Sequence, residues 1–214
     1  MDLMTAIDQL MIEADLDALP VWEGLPLHFT SGYIDPDEAM AALRRREEEH
    51  LDKRGSLRAT HMWFPSATGG RLDLPEHDLF QFTADLRCDF WRHVDQDGNR
   101  LACLCVGGLL TMTICTRCRW HHIDSDENIA VEAWHDHAFA GWRELPILPG
   151  NLRGGMGSRE MTPQRRAWID ENYPAAFRVD GAPIRTARAS KLASRHVPGY
   201  SPLGGYDLAD NSEP

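Results

Sequence analysis

Four of the five cysteines in this 214-residue chain lie within a window of sixteen residues. Cys103 and Cys105 form one pair, Cys115 and Cys118 form the next, and a short strand-like segment beginning Val-Gly-Gly separates them. Thiolates are soft ligands, and structural zinc sites commonly take two of them from each of two turns that face each other. The spacing therefore predicts one structural zinc site with all four cysteines as ligands.

Histidines directly after the second pair leave a second ligand set open. His121 and His122 follow Cys118 by three and four residues. Either imidazole could replace Cys103 or Cys105, because zinc accepts mixed sulfur and nitrogen ligands at tetrahedral sites. The cysteine pattern thus predicts either four thiolates or three thiolates and one imidazole.

The cysteine segment, residues 103–122, resembles a zinc ribbon. Zinc ribbons usually carry two C-x-x-C turns, whereas the first pair here is C-x-C followed by Gly107-Gly108. The resemblance implies a fold element and a structural zinc ion, and it implies no activity because such modules serve many functions. Three further segments, Trp120–His122, Trp134–His137 and Gly141–Arg143, are similar to uncharacterised proteins of high-GC bacteria and their phages, which adds no activity either.

The elements that must position the metal site are an antiparallel sheet and its flanking helices. Aromatic and β-branched residues recur at strand-like spacing in 61–64 and 79–94, Asp97-Gly98 favours a hairpin turn, and 109–114 is a further strand. We therefore expect an α+β fold whose sheet, from residues 61 to 115, is closed by the zinc site.

Three or four helices are expected around this sheet. An amphipathic acidic helix is predicted for residues 2–18, which places Leu3, Ile7 and Leu10 on one face. Capping residues followed by proline or acidic residues predict three more helices, near 36–53, 126–137 and 163–172.

The chain divides by composition into four parts. We predict an N-terminal helix in 1–20, a zinc-stapled core in 21–148, a Gly-rich linker with a short helix and a basic arm in 149–200, and a disordered acidic tail in 201–214. Residues 150–200 carry nine basic and four acidic side chains, although the net charge of the chain is -11. The basic stretch 153–195 therefore makes nucleic acid a candidate partner beside a protein partner.

Cysteine usage and hydropathy indicate the compartment. No apolar run reaches the roughly 20 residues that span a bilayer, and the acidic N-terminus lacks the order of a secretion signal. Clustered cysteines in a reducing compartment favour metal ligation over disulfides. We expect a cytoplasmic protein without a membrane segment.

Two functions remain as hypotheses. The first is a zinc-binding, non-catalytic interaction or adaptor protein, whose Arg117, Arg119 and Trp120 contact a partner beside the metal site. The second is a metal-dependent hydrolase built from the histidines and acids that follow the cysteines: His121, His122, Asp124, Asp126, Glu127, His135, Asp136 and His137. In the predicted helix His135 and His137 point to nearly opposite sides, so the sequence favours the non-catalytic hypothesis without excluding an enzyme.

Overall fold

The computed structural model of the chain describes most of the residues that follow Thr30. The described ranges are 31–50, 62–67, 69–86, 108–153, 160–188 and 194–210. The predicted N-terminal helix, the turn at Asp97-Gly98 and the first cysteine pair, Cys103 and Cys105, lie outside them. Within these ranges the protein is an α+β fold, as predicted.

The central sheet contains five antiparallel strands. They are β1 (Phe64–Pro65), β2 (Leu72–Asp73), β3 (Asp78–Asp85), β4 (Leu109–Cys115) and β5 (Trp120–Asp124). The strand order is β1-β3-β4-β5. The strand β2 also pairs with β3, at Asp78 and Leu79, whereas β1 pairs with Phe82 and Thr83. The expectation that the metal segment closes the sheet is wrong, because the chain turns back after Cys118 and pairs with β4 as an open edge strand.

The register of the sheet separates its side chains into two faces. Phe80 lies opposite Ile114 and Phe82 lies opposite Met112. Because successive side chains of a strand point to opposite faces, these residues share one face, and Thr113 and Cys115 lie on the other. The face that carries Phe82 and Met112 packs against the helix that contains Ala39, which precedes the sheet. The face that carries Cys115 packs against the helix that contains Trp134, which follows the sheet.

Three α-helices flank the sheet, and all three were predicted. They are α1 (Pro36–His50), α2 (Glu127–Ala138) and α3 (Pro163–Asn172). The Asp126 carboxylate accepts from the Asn128 amide at the start of α2, and the Thr162 hydroxyl accepts from the Arg165 amide at the start of α3. None of the helices in the described ranges is long and apolar enough to cross a membrane.

A second, three-stranded sheet forms where the sequence suggests an arm and a tail. It contains β6 (Ile184–Ala187), β7 (His196–Val197) and β8 (Asp207–Asp210), with β8 in the middle and parallel to β6. Within the predicted disordered tail, 201–214, residues 207–210 form β8, and 211–214 lie outside the described residues. The boundaries predicted at residues 20 and 148 stay predictions.

Close backbone packing explains the glycines that suggested disorder. A Cβ atom on Gly205 would stand 2.1 Å from the carbonyl oxygen of Gly181. Only a glycine permits that approach. The next residues, Tyr206 and Leu208, are buried in the same hydrophobic cluster as Trp134 of α2. The C-terminal strand is thus part of the core.

Replacing Leu208 with alanine tests this conclusion. Leu208 is fully buried, so Leu208→Ala should lower the free energy of unfolding by about 2–5 kcal/mol through lost burial and a cavity. The measurement is urea denaturation followed by circular dichroism. The control is Leu109→Ala, because Leu109 is 45% exposed. Equal, small effects of the two substitutions would show that β8 does not belong to the core.

Candidate metal centre

Four potential metal ligands meet at one end of the central sheet. His77 lies in the turn before β3, Cys115 ends β4, Cys118 lies in the β4–β5 turn, and His137 lies in the last turn of α2. One ligand atom from each residue, two sulfurs and two ring nitrogens, lies within 4.8 Å of every other. These four residues can hold a metal ion, and we call them the Cys/His group.

The distances within the Cys/His group match a coordination sphere. The Nδ1 atom of His77 lies 3.8 Å from the sulfur of Cys115 and 3.5 Å from that of Cys118. Tetrahedral zinc with Zn–S bonds near 2.3 Å and Zn–N bonds near 2.05 Å places sulfur and nitrogen about 3.6 Å apart. The two sulfur–nitrogen distances are therefore close to those of ligands around one zinc ion.

Burial favours the uncharged forms of the Cys115 and His137 side chains. Cys115 is fully buried, and burial raises the pKa of its thiol, although the backbone N–H groups of Asp78 and Cys118 favour the thiolate. The Nε2 atom of His137 is buried and has no hydrogen-bond partner among the described residues. Burial, and then the nearby His77, lower the pKa of the His137 imidazole. Neutral imidazoles and thiolates are the forms that ligate a cation.

Asp78 holds the β4–β5 turn in position. Its carboxylate accepts hydrogen bonds from the backbone N–H and the hydroxyl of Thr116, and more weakly from the backbone N–H of Arg117 at 3.5 Å. Burial acts to raise the pKa of this carboxyl, but the hydrogen bonds outweigh it, so the pKa is lowered. Asp78 follows His77 directly in the chain. Its hydrogen bonds to Thr116 therefore connect the β2–β3 turn, which carries His77, to the β4–β5 turn, which carries Cys118.

The indole of Trp134 ties α2 to the same point. Its Nε1–H donates to the backbone carbonyl of Asp78 at 2.8 Å, and the ring is fully buried. His137 lies three residues later, on the same side of the helix, because residues three and four apart lie on one helical face. The Trp134 hydrogen bond thus positions the helix end that carries a ligand.

Aromatic stacking orients the ligand rings. The ring of Trp120 stacks on that of His137 with 4.7 Å between centroids and 3° between planes. The ring of His77 meets His137 edge-on, with 4.8 Å between centroids. Packing against two neighbouring rings restricts the rotation of the His137 ring.

The group contains two of the predicted ligands and not the alternatives. Cys115 and Cys118 belong to it, while the structure does not describe Cys103 or Cys105. The imidazole of His121 lies 3.2 Å from the carbonyl of Ser31, and that of His122 lies 3.9 Å from the Asp124 carboxylate. Neither joins the group.

Two members of the group, His77 and His137, were not recognised as ligands in the sequence. The hydrolase hypothesis includes His137, but as one of eight candidates for a second, catalytic ion. The available signal was its position in the last turn of a predicted helix that follows the cysteine turn closely. His77 lacks such a signal, because the pairing of β3 with β4 alone brings it to Cys115.

The residues proposed for a second, catalytic metal are dispersed. His135 is fully buried, its Nδ1 atom contacts the Val131 carbonyl at 2.8 Å, and burial lowers its pKa to about 3. Asp136 accepts from the side chains of Trp142 and Arg143. Within the described ranges, no second cluster of three or more potential ligands occurs.

Arginines that were candidates for partner contacts make contacts within the protein. Arg117 pairs with Asp73 at 2.8 Å, and the Arg119 guanidinium lies 5.0 Å from the Tyr33 ring centroid. In the basic stretch, Arg165 is buried and donates to backbone carbonyls, and Arg195 pairs with Glu132. A nucleic-acid role for residues 153–195 stays a prediction.

Residues 24–214 match the Family of unknown function (DUF6349), and the chain belongs to that family. No curated protein and no solved structure matches the chain. The match does not make the chain a member of a zinc-ribbon family, so the resemblance rests on the cysteine pattern alone.

An Asp78→Asn substitution tests how the cysteine turn is held. The asparagine side chain has no negative charge, and it accepts hydrogen bonds from Thr116 less strongly than the carboxylate does. The cysteine turn is then held less firmly, so metal affinity should fall about 10- to 100-fold. Affinity is measured by competition with a chromophoric zinc chelator. Asp170→Asn is the control, because Asp170 is exposed on α3 and lies outside the Cys/His group. Unchanged affinity in Asp78→Asn would contradict this role.

Proposed function

We propose that this member of the family is a zinc-binding, non-catalytic interaction protein in which the ion is structural. The observation that carries the proposal is the convergence of Cys115, Cys118, His77 and His137, whose ligand atoms all lie within 4.8 Å of one another. The C-x-x-C spacing within this group is the usual turn of structural zinc sites.

The donor set supports zinc over other ions. Two sulfurs and two imidazole nitrogens suit a borderline-soft ion in tetrahedral geometry, whereas calcium and magnesium prefer oxygen ligands. Two thiolates also neutralise the two positive charges of the ion. A neutral centre suits this position, where Cys115 is fully buried and His77 and His137 are half-buried.

The number of ligands supports a structural role. Catalytic zinc keeps a coordination position open for water or substrate, while structural zinc is bound by four protein ligands. The Cys/His group supplies four, and they come from three parts of the fold: the β2–β3 turn, the β4–β5 turn and the end of α2. An ion there would hold α2 to the end of the sheet.

The interaction role follows from what surrounds the ion. Apart from His137, the acids and histidines in the described part of the chain after the cysteine turn cap helices, fill the core or form internal contacts, and they form no second cluster of potential ligands there. A protein partner is preferred to nucleic acid because Arg165 and Arg195 have partners inside the fold. Thiolate ligands also support the predicted cytoplasmic location, where thiols remain reduced.

Elemental analysis of the purified chain tests the metal assignment. We expect one zinc ion per chain, and we expect His77→Ala and His137→Ala to lose it. His122→Ala is the matched control, because His122 lies near Trp120 but outside the group, and it should retain the ion. A chain without any tightly bound transition metal would overturn the proposal. Loss of zinc in Cys103→Ser with retention in His137→Ala would instead support four thiolate ligands.

Removal of the metal tests the structural role. If zinc is present at 100 times its dissociation constant, binding stabilises the folded state by about 2.7 kcal/mol. For a chain of this size, Cys118→Ser should then lower Tm by roughly 5–10 °C. Cys118 is exposed, so this substitution does not disturb the core directly. Differential scanning calorimetry with and without a chelator provides the measurement. A Tm that responds to neither change would contradict a structural ion.

A further inference from the structure

A groove of about 600 Å³ lies directly against the metal centre. Three parts of the chain form its walls: residues 74–77 in the β2–β3 turn, residues 138–140 at the end of α2, and Ala176, Phe177, Val179 and Asp180 after α3. His77 lines the groove, and Ala138 follows the ligand His137 in the chain. Its volume lies in the range typical of binding pockets. The groove therefore shares two walls with the metal centre.

The floor of the groove is apolar. Phe139 and Phe177 are buried beneath it with 6.0 Å between ring centroids, and Leu74 packs against the same cluster. At its rim the side chain of Val179 is 48% exposed, the largest exposure among the large hydrophobic residues described. The groove thus presents apolar surface that the described chain leaves open to solvent.

The rim of the groove carries negative charge. Glu76 on the β2–β3 turn and Asp180 on the facing segment are both exposed carboxylates, and neither forms an ion pair with a described residue. Among the described residues that line the groove, there is no arginine or lysine. An occupant must therefore match an apolar floor and two carboxylates.

Close packing gives the groove a fixed shape. Gly181 has a φ angle of 79°, and a Cβ atom there would stand 2.3 Å from a terminal carbon of Leu74. This contact joins the segment 176–180 to the β2–β3 turn. The same turn carries His77, so a metal ion bound by His77 would restrain the Glu76 wall further.

We propose that this groove docks a peptide segment of a partner protein in which apolar side chains are flanked by arginine or lysine. The apolar side chains cover Phe177 and Val179, and the basic groups pair with Glu76 and Asp180. The proposal rests on the interaction function proposed above and adds the surface and the chemistry of the partner. Metal binding controls docking, because the ion fixes one wall.

Labelled peptides test the proposal on the zinc-loaded protein. The probe is a fluorescein-labelled peptide with two leucines flanked on each side by two arginines, and the comparison peptide replaces the arginines with glutamates. Fluorescence anisotropy should show saturable binding of the arginine peptide and at least tenfold weaker binding of the glutamate peptide. Chelation of the zinc should weaken binding of the arginine peptide by a similar factor.

Variants of the groove provide the second arm. Val179→Glu should weaken binding of the arginine peptide at least tenfold, while Ile129→Glu should leave it unchanged. Ile129 is a matched control because it is 44% exposed and does not line the groove. In the double variant Glu76→Arg with Asp180→Arg, the preference should reverse, so that the glutamate peptide binds more tightly. A reversal cannot arise from unfolding.

The outcomes separate the docking proposal from the metal proposal. Zinc content is measured for every variant, so a chain that holds one zinc but binds both peptides equally, or neither, overturns the docking proposal alone. A chain that holds no zinc overturns the proposed function. If Val179→Glu converts a dimer into monomers in sedimentation, a second copy of the chain occupies the groove, and the docking proposal is overturned.

Discussion

The antiparallel register between β3 and β4 determines where the metal ligands lie. With Phe80 opposite Ile114, the beginning of β3 lies beside the end of β4, and the turn that carries His77 meets the turn after Cys115. A slip of one residue would move Cys115 to the opposite face and place its thiol away from α2. The hydrophobic faces of the sheet enforce this register, because Phe82, Met112 and Ile114 must remain against α1.

Two hydrogen bonds fix the position of α2, which carries the ligand His137. The hydroxyl of Thr113 donates to the Ala130 carbonyl at 3.0 Å, and the indole of Trp134 donates to the Asp78 carbonyl. Ala130, Trp134 and His137 follow the four-and-three spacing of a single helical face. The buried bonds at the first two residues therefore direct His137 toward the sulfur atoms, while His135 enters the hydrophobic core.

Local signals made the elements predictable, whereas the ligand set depends on contacts between distant residues. Asp126 and Thr162 indicate helix starts because capping acts within one turn of the chain. The pair Cys115 and Cys118 is likewise a local signal, because the C-x-x-C spacing lies within four consecutive residues. His77 lies 38 residues before Cys115, and only the sheet register brings them together. The small sheet was missed because β6 and β8 pair in parallel across about twenty residues, and its glycines permit close packing instead of marking disorder.

The hydrogen bond between the Leu86 amide and the Gly108 carbonyl, 2.7 Å long, fixes β3 and β4 to each other at the end away from the metal centre. His77 and Cys115 meet at the other end of the same two strands. A shift of β3 along β4 would break this hydrogen bond as well as the ladder between the strands. The two strands therefore act as a rigid spacer that is locked at one end and carries the ligand-bearing turns at the other.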